Sequence, residues 1–381
     1  MPALAFDQKP FIVIWETTRA CQLACRHCRA RAVRRRHPGE LSTEEAFGLV
    51  DQLVEMDRPL FVLTGGDPME RDDLVEIVRY ASARGLVTSI TPSATPRVTF
   101  ERMRALREAG LAHWAFSLDG STPEIHDRFR GFPGTFALTM ERIGWLRQLG
   151  IPLQINTTVS RFNVDDLPAM AELVERLGAV RWSLFFLIPT GRARLGDLLS
   201  PEQHEQVLLW LDDLSRQVPY DIKTTEGPQI RRIRAMREAA ATGGGSPSAE
   251  DAEVVETATE AGRREAGGVP RSRRPVWDGN GILFVSHVGE VYPSGFLPVV
   301  VGSVRETPLA RLYQGSPVLQ ALRDPSRYRG KCGYCPFRRL CGGSRARAYA
   351  VTGEYLEADP FCTYIPDPRA AAREGTGARA G

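Results

Sequence analysis

Hydrophobic residues follow two alternating patterns along the first two thirds of the chain. Short apolar runs, such as those at residues 11–15 and 60–64, have the length and composition of buried strands. Between these runs, apolar residues recur every three or four positions, as they do on the buried face of a helix. The first helical pattern follows Ser42 and Glu45, which have the spacing of a helix capping box. The pattern therefore predicts strands that alternate with helices.

Six strands and at least six helices are predicted in this part of the chain. The strands are at residues 11–15, 60–64, 86–90, 114–118, 153–159 and 180–188, and the helices are at 43–54, 71–84, 99–109, 134–149, 165–177 and 201–217. Repeated strand–helix units imply parallel strands with right-handed crossovers, so the fold class is α/β. An open doubly wound sheet and a barrel both satisfy this pattern.

The last third of the chain has a different organisation, which predicts four regions in all. Residues 238–273 are rich in Ala, Gly and charge and offer little to bury, so they predict a linker. A β-hairpin is predicted at 281–292 and a short helix at 308–322. The expected boundaries are a main domain at 1–235, a flexible linker at 236–275, a small C-terminal domain at 276–366 and a disordered tail at 367–381.

Composition narrows the function classes. The chain has 381 residues, of which 43% are hydrophobic, and a net charge of +3, too small to imply a nucleic-acid partner by itself. An odd number of cysteines, seven, at metal-ligand spacings argues against a disulfide framework. No signal peptide and no apolar stretch of about 20 residues is visible. A cytoplasmic protein without a membrane or nucleic-acid partner is therefore expected.

Three cysteines follow the first predicted strand in the pattern Cys21-x3-Cys25-x2-Cys28. Thiolates hold iron–sulfur clusters, and four are normally needed for a cluster of four irons. Three on one short loop leave one iron without a protein ligand, and such an iron can bind a small molecule. A structural zinc site is the alternative, although zinc usually takes four protein ligands in closed sites.

This cysteine loop resembles the signature of the radical S-adenosylmethionine (SAM) enzymes. The resemblance implies that Cys21, Cys25 and Cys28 hold a [4Fe-4S] cluster whose open iron binds SAM. It implies reductive cleavage of SAM to methionine and a 5′-deoxyadenosyl radical, which removes hydrogen from a substrate. It also implies a partial (β/α)6 TIM-type barrel, with the cluster at the C-terminal ends of the strands. A flavodoxin or a ferredoxin is the expected electron donor.

Further segments match motifs that bind SAM in this superfamily. Gly65, Gly66 and Asp67 follow the second strand, where relatives carry a Gly-Gly-Glu-Pro segment that binds the SAM amino group. By the same resemblance, Ser117, Asp119 and Asn156 help to hold the ribose and the carboxylate of SAM. Residues 189–191 lie at the position where enzymes of this superfamily often border the adenine of SAM. Residues 92–94 depart from the Thr-Asn-Gly that many relatives carry at the matching positions.

The other four cysteines form a second group near the C-terminus: Cys332, Cys335, Cys341 and Cys362. The spacing suits zinc or an iron–sulfur cluster. The segment resembles the SPASM or twitch region of many radical SAM enzymes, and the resemblance implies one fully ligated auxiliary [4Fe-4S] cluster. We expect this cluster to accept or relay an electron from the substrate. A zinc ion bound by the same four cysteines is the alternative.

Residues 154–158, 187–192 and 341–348 resemble the tetrapyrrole-modifying branch, which includes haem synthases that decarboxylate propionates and haem d1 maturases. Relatives often carry cysteine at the positions of Ser294 and Ser344, which suggests a sister subgroup of the haem synthases. The expected reaction is oxidative decarboxylation or other modification of a tetrapyrrole side chain. Maturation of a peptide or a small natural product, and a non-catalytic iron–sulfur carrier or redox sensor, are the alternatives.

Overall fold

Strands form one continuous sheet in the computed structural model, which describes residues 6–241, 272 and 274–368. Within these residues there are ten strands: β1 (Ile12–Glu16), β2 (Leu60–Thr64), β3 (Thr88–Ile90), β4 (His113–Ser117), β5 (Leu153–Val159), β6 (Arg181–Phe186), β7 (Asp221–Thr225), β8 (Ile282–Val285), β9 (Glu290–Tyr292) and β10 (Gly302–Ser303). All six predicted strands are present, most of them with ends shifted by one or two residues.

Strand order explains how the two ends of the chain meet. The order across the sheet is β10-β9-β8-β1-β2-β3-β4-β5-β6-β7. Neighbours from β1 to β7 are parallel, as strand–helix alternation requires. The predicted hairpin is formed by β8 and β9, and β8 pairs in parallel with β1. The C-terminal hairpin therefore extends the sheet beside the strand that leads into the first cysteine loop.

Helices alternate with most of the parallel strands and continue after the C-terminal hairpin. They are α1 (Thr43–Glu55), α2 (Leu74–Ala83), α3 (Phe100–Glu108), α4 (Pro123–Arg130), α5 (Thr135–Gln148), α6 (Leu167–Arg176), α7 (Pro201–Leu214), α8 (Gln229–Ala241), α9 (Leu309–Gly315), α10 (Pro317–Arg323), α11 (Gly330–Gly333) and α12 (Arg345–Thr352). The capping box of α1 is confirmed, because the Ser42 hydroxyl accepts from the Glu45 N–H and the Glu45 carboxylate accepts from the Ser42 N–H. The helix predicted at 308–322 is divided into α9 and α10.

The sequence pattern missed three elements that shape the interior: strand β7, helix α4 and helix α8, which contributes six residues to the cavity wall. Strand β7 has a polar sequence in which Ile222 is the buried residue, so it lacks the apolar run used to predict the others. Helix α4 lies between β4 and α5, where the sequence offered only eight mostly charged residues. The observed architecture is thus the predicted partial barrel with two further parallel strands, β7 beside β6 and β8 beside β1.

Alternation along β5 shows how the sheet separates a core from a cavity. Leu153, Ile155 and Val159 are buried in the main core, which lies between the sheet and the helices. Gln154 and Asn156, which alternate with them, line a cavity on the opposite face. The inside of the partial barrel is therefore open to ligands, while its outside is packed.

Two predicted regions fall largely beyond the described part of the chain. Residues 242–271 and 273, most of the predicted linker, and residues 369–381, most of the predicted tail, lie outside the described residues. The first residues of the linker belong to α8, which runs to Ala241. Among the helices that the structure describes, none is long and apolar enough to cross a membrane.

Candidate active site

The first cysteine loop follows β1 and forms part of the wall of a cavity of about 730 Å³. Cys21, Cys25 and Cys28 all line this cavity, and the first two are buried. The loop is fastened at its base, where the Cys21 N–H donates to the Val33 carbonyl at 2.8 Å. The structure therefore brings the three predicted ligands to one place at the C-terminal end of β1.

Burial changes the acidity of two of these thiols, Cys21 and Cys25. It raises the pKa of Cys21 to about 12, with a further contribution from the nearby Asp67 carboxyl. Burial also raises the pKa of Cys25, and the Arg130 guanidinium opposes that shift. Backbone N–H groups point at two of the sulfurs, from Leu23 to Cys21 at 3.3 Å and from Ala32 to Cys28 at 3.4 Å. Such donors suit a metal-bound thiolate, so the loop fits a cluster with three protein ligands.

The two glycines after β2 pack directly on the backbone of the cysteine loop. A Cβ atom on Gly65 would lie 2.5 Å from the Thr18 carbonyl oxygen, and one on Gly66 would lie 2.4 Å from the Ala20 carbonyl oxygen. The Gly66 N–H donates to the Thr18 carbonyl at 2.7 Å. Both glycines line the cavity. Only glycine permits this approach, so the pair fixes the loop as well as offering backbone to a ligand.

Asp67 is placed differently from its neighbours. It is fully buried and does not line the cavity; its carboxyl accepts from the Met69 N–H at 3.0 Å and from the Thr95 hydroxyl at 2.9 Å. Burial raises the pKa of Asp67 to about 6. The side chain therefore holds the turn that carries Gly65 and Gly66, and the predicted direct contact with SAM is not what its geometry favours.

Ser117 and Asn156 face each other on adjacent strands and line the cavity together. Asn156 lies in the middle of β5, and its Oδ1 accepts from Gln154 at 2.8 Å. Asp119, predicted with them, is fully buried outside the cavity lining. Its carboxyl accepts from the Thr158 N–H at 2.8 Å and from Arg130 at 3.2 Å. Asp119 thus positions Arg130.

Arginines supply charge that the sequence analysis did not identify. Arg130, on the unpredicted helix α4, lines the cavity beside Cys25. Arg192 follows β6 and also lines it, and its Nε and Nη2 atoms are buried without a hydrogen-bond partner among the described residues. Buried guanidinium groups normally have acceptors. Arg192 was noted only as part of a motif, and no spacing rule distinguished it from the other arginines.

Residues 189–191 meet the cysteine loop instead of standing apart from it. Gly191 has a φ of +65°, and a Cβ atom there would lie 2.3 Å from the carbonyl oxygens of both Cys28 and Arg29. The Arg192 N–H donates to the Cys28 carbonyl at 3.0 Å. On the other side of the loop, Ser93, from the atypical segment 92–94, lies 3.8 Å from the Cys21 sulfur. Both segments therefore border the predicted cluster site.

The four cysteines of the second group lie near one another in space, with Cys332 and Cys341 buried and Cys335 and Cys362 half-buried. Burial raises the pKa of Cys335 to about 11, with contributions from Cys332 and Cys362. The pKa of Cys341 is raised by burial and by the other three thiols, so all four lie within electrostatic reach of one another. Across residues 6–241, 272 and 274–368, no three His, Cys, Asp or Glu side chains are arranged to hold a metal ion. The arrangement fits four thiolates around a larger group, and spectroscopy decides between a cluster and zinc.

Ser294 and Ser344 bind buried carboxyl groups beside the cavity. The Ser344 hydroxyl donates to Glu226 and accepts from the Arg347 N–H at 2.9 Å. Ser294 accepts from the Phe296 N–H at 3.2 Å and interacts with Asp278. Burial and the nearby Asp278 raise the pKa of Glu226 to about 8. The two serines thus hold a pair of carboxyl groups in this cavity wall.

Comparison with known proteins agrees with this geometry. The family model of the radical SAM superfamily matches residues 15–174. AdoMet-dependent heme synthases of Oleidesulfovibrio alaskensis and Methanosarcina barkeri are 39% and 38% identical; the matches cover 98% and 95% of this chain and 92% and 99% of the relatives. A PqqA peptide cyclase of Rhodopseudomonas palustris is 28% identical over 94% of this chain and 88% of its own.

Among solved structures, SuiB of Streptococcus suis bound to S-adenosylmethionine has the same fold. The TM-score is 0.67 at 13% identity, and the match covers 94% of this chain and 78% of SuiB. The chain belongs to the radical SAM superfamily. Within it, the resemblance is to the tetrapyrrole-modifying branch, as the motifs predicted. It is an enzyme that uses a [4Fe-4S] cluster and SAM, so the alternative of a non-catalytic carrier is excluded.

Proposed function

We propose that this enzyme oxidatively decarboxylates propionate side chains of an iron-containing tetrapyrrole, iron-coproporphyrin III. Heme synthases that are 38–39% identical over nearly the whole chain support this substrate class over the peptide class, whose relative is 28% identical. We propose that Cys21, Cys25 and Cys28 hold the cluster that binds SAM. When bound, the cluster and SAM supply a 5′-deoxyadenosyl radical that removes a hydrogen atom from the substrate.

The observation that carries the proposal is that residues of both cysteine regions line one cavity. Its lining includes Cys21, Cys25 and Cys28 and also Leu340, Gly343 and Ser344, which flank Cys341 in the second cysteine region. Its volume of about 730 Å³ lies within the range of ligand sites, about 300–1,000 Å³. A substrate in this cavity would contact the first group of cysteines and the residues that flank Cys341.

The proposed reaction needs an electron acceptor, and the second group of cysteines is placed to hold one. Loss of one hydrogen atom and of CO2 from a propionate side chain gives a vinyl group and leaves one electron to be removed. We propose that Cys332, Cys335, Cys341 and Cys362 hold an auxiliary [4Fe-4S] cluster that takes this electron. Full ligation by four thiolates suits electron transfer, because no open iron is needed. Zinc at this site would leave the electron without an acceptor.

Arginines on the cavity wall suit carboxylate groups. The buried, unbonded Nε and Nη2 atoms of Arg192 form a donor pair for a carboxylate, which both SAM and a propionate side chain present. Arg130 is fixed by Asp119 and adds positive charge beside Cys25. These two residues therefore bind and orient anionic groups near the first cysteine loop.

The proposal extends to the cellular setting. All seven cysteines are free thiols, which suits a reducing compartment, and we propose that the enzyme works in the cytoplasm. A flavodoxin or a ferredoxin is the proposed electron donor for the first cluster. Exposed arginines beside the cysteine loop, Arg31, Arg34 and Arg35, suit an acidic partner of this kind.

We also propose that the chain is divided into a main domain at 1–235, a linker at 236–275, a small C-terminal domain at 276–366 and a tail at 367–381.

The test is an anaerobic incubation of the reconstituted enzyme with SAM, dithionite and iron-coproporphyrin III, followed by mass spectrometry. Stepwise loss of carboxyl groups with formation of 5′-deoxyadenosine is expected. A Cys362→Ala variant should still cleave SAM while losing complete oxidation of the substrate. Formation of 5′-deoxyadenosine with an unchanged porphyrin would overturn the substrate and favour a peptide or another small molecule. Full oxidation by Cys362→Ala would overturn the role of the auxiliary cluster.

A further inference from the structure

Arg345, the first residue of α12, is a fully buried cation in the second cysteine region. Its guanidinium lies over the ring of Tyr328, 4.6 Å from the ring centroid. Its Nη1 donates to the carbonyls of Tyr355 at 3.2 Å and Glu357 at 2.6 Å. Its Nη2 donates to the Cys332 sulfur at 3.7 Å. The guanidinium is thus held in a fixed orientation that directs one edge at a cysteine.

The nearby Arg347 differs from Arg345 because it has a carboxylate partner. Arg347 is equally buried, but its Nη1 forms an ion pair with the Asp359 carboxylate at 2.9 Å. The hydrogen-bond acceptors of Arg345 among the described residues are carbonyl oxygens and a sulfur, with no carboxylate. A buried cation is costly unless an anion compensates it. Asp278 lies within electrostatic reach of Arg345 but accepts no hydrogen bond from it, so a cluster held at Cys332 would supply an anion to which the guanidinium bonds directly.

We propose that Arg345 is a positioning residue for electron transfer: its buried charge and its hydrogen bond to Cys332 raise the reduction potential of the auxiliary cluster. This inference rests on the proposed function, because it requires a cluster at Cys332, Cys335, Cys341 and Cys362. Reduction adds one negative charge to the cluster. A cation in a site without water stabilises that charge far more than an exposed cation does. Hydrogen bonds to the ligating sulfurs act in the same direction.

The consequence is directional electron flow. Removal of a hydrogen atom and CO2 from the propionate leaves one electron as the vinyl group forms, and a cluster held by Cys332, Cys335, Cys341 and Cys362 would be the one-electron acceptor. A raised potential at the auxiliary site makes this transfer more favourable. Arg232 adds a second cation near Cys362 and Cys341, but Glu205 already neutralises it through an ion pair. Arg345 therefore has the larger expected effect.

The measurement uses the full chain with Cys21, Cys25 and Cys28 replaced by Ala, so that only the auxiliary site can hold iron. The wild-type chain should bind about eight iron atoms and this triple variant about four, as two four-iron clusters and one require. A redox titration followed by electron paramagnetic resonance then gives the potential of the auxiliary cluster alone. Zinc or no metal in the triple variant would overturn both the proposed auxiliary cluster and this inference, before any change at Arg345 is made.

Arg345→Gln in this background should lower the equilibrium constant for reduction at least tenfold, a shift of about 59 mV to more negative potential for one electron. The matched control is Arg339→Gln, which removes the same charge from an exposed side chain between Cys335 and Cys341. Arg339→Gln should leave the potential unchanged. Equal potentials for Arg345→Gln and Arg339→Gln would overturn the inference.

A conservative variant keeps the test decisive if Arg345→Gln binds no iron. Arg345→Lys retains the charge but cannot bond to both carbonyls and to the sulfur at once. The reduction potential of the Arg345→Lys variant should lie between the potential with Arg345 and the potential with Arg345→Gln. If Arg345→Gln binds no iron, the potential of Arg345→Lys should still lie below the potential with Arg345. Equal potentials for Arg345 and Arg345→Lys would then overturn the inference.

Discussion

The backbone N–H of Arg192 donates to the carbonyl oxygen of Cys28 at 3.0 Å, which joins the end of β6 to the first cysteine loop. Because the carbonyl of Gly191 also accepts from Arg31 at 2.9 Å, the turn and the loop form one unit. The Arg192 guanidinium is thereby carried to the cavity beside Cys25 and Cys28. Its position follows from backbone contacts more than 160 residues apart in sequence.

Replacing Arg192 should weaken binding of a carboxylate ligand. Arg192→Gln removes a charged donor pair whose hydrogen bonds are worth about 1.5–3 kcal/mol, so we expect about 10- to 100-fold weaker binding of SAM or of the porphyrin. Equilibrium binding of SAM and the KM for iron-coproporphyrin III distinguish the two ligands. Arg194→Gln, which changes an exposed arginine outside the cavity lining, is the control. Unchanged binding of both ligands would contradict the assignment of Arg192.

Gly66→Ala should prevent assembly of the first cluster. The added Cβ would lie 2.4 Å from the Ala20 carbonyl oxygen, so the cysteine loop would have to move. We expect the iron content after reconstitution to fall by about half, from two clusters to one. Gly48→Ala is the matched control because a Cβ there has no neighbour within 4 Å. It should retain both clusters and gain about 0.5–1 kcal/mol of helix stability.

Glu226 should make the enzyme less stable as pH rises. Its pKa is raised to about 8 by burial and by Asp278, while Arg347 and the Ser344 hydroxyl oppose the shift and Asp359 adds to it. The folded state therefore keeps a proton that the unfolded state loses above its pKa of about 4.3. The contribution of this proton to the free energy of unfolding is complete below that value and is lost between about pH 4 and pH 8.

Glu226→Gln should remove this dependence. Relative to the wild type, the melting temperature of the variant should rise progressively from pH 5 to pH 8.5. Glu76→Gln, a change of an exposed carboxylate on α2, should leave the difference independent of pH. If the difference in melting temperature between Glu226→Gln and the wild type did not change with pH, Glu226 would be ionised in the folded state, which would contradict the prediction.

Asp119→Ala should destabilise the fold because it leaves Arg130 buried without its ion-pair partner. The two side chains are 3.2 Å apart and almost fully buried, and breaking such a pair costs about 3–5 kcal/mol. Anaerobic denaturant unfolding measures the loss. Asp197→Ala removes a half-buried carboxylate that accepts from the nearby Arg194 N–H and has no ion-pair partner among the described residues, so it should cost much less. Equal losses for the two variants would contradict the role given to the Asp119–Arg130 pair.

The sequence alone determined the chemistry of the chain and most of its elements. The spacing of Cys21, Cys25 and Cys28 after a buried strand is local information, and so is the period that separates strands from helices. Buried apolar runs predicted six parallel strands, whereas the polar strand β7 and the charged helix α4 gave no such signal. These elements are stabilised by their neighbours in the sheet and by packing, which no local pattern contains.

Only the tertiary structure decided which side chains share the cavity. It showed that Asp67 and Asp119 hold backbone and Arg130 instead of facing the ligand space, and that Arg192 faces it. It also placed the C-terminal hairpin beside β1, so that Ser294 and Ser344 line the same cavity as the first cysteines. These relationships depend on the order of strands in the sheet and on contacts between distant residues. For that reason the sequence identified the reactive groups, and the fold determined what surrounds them.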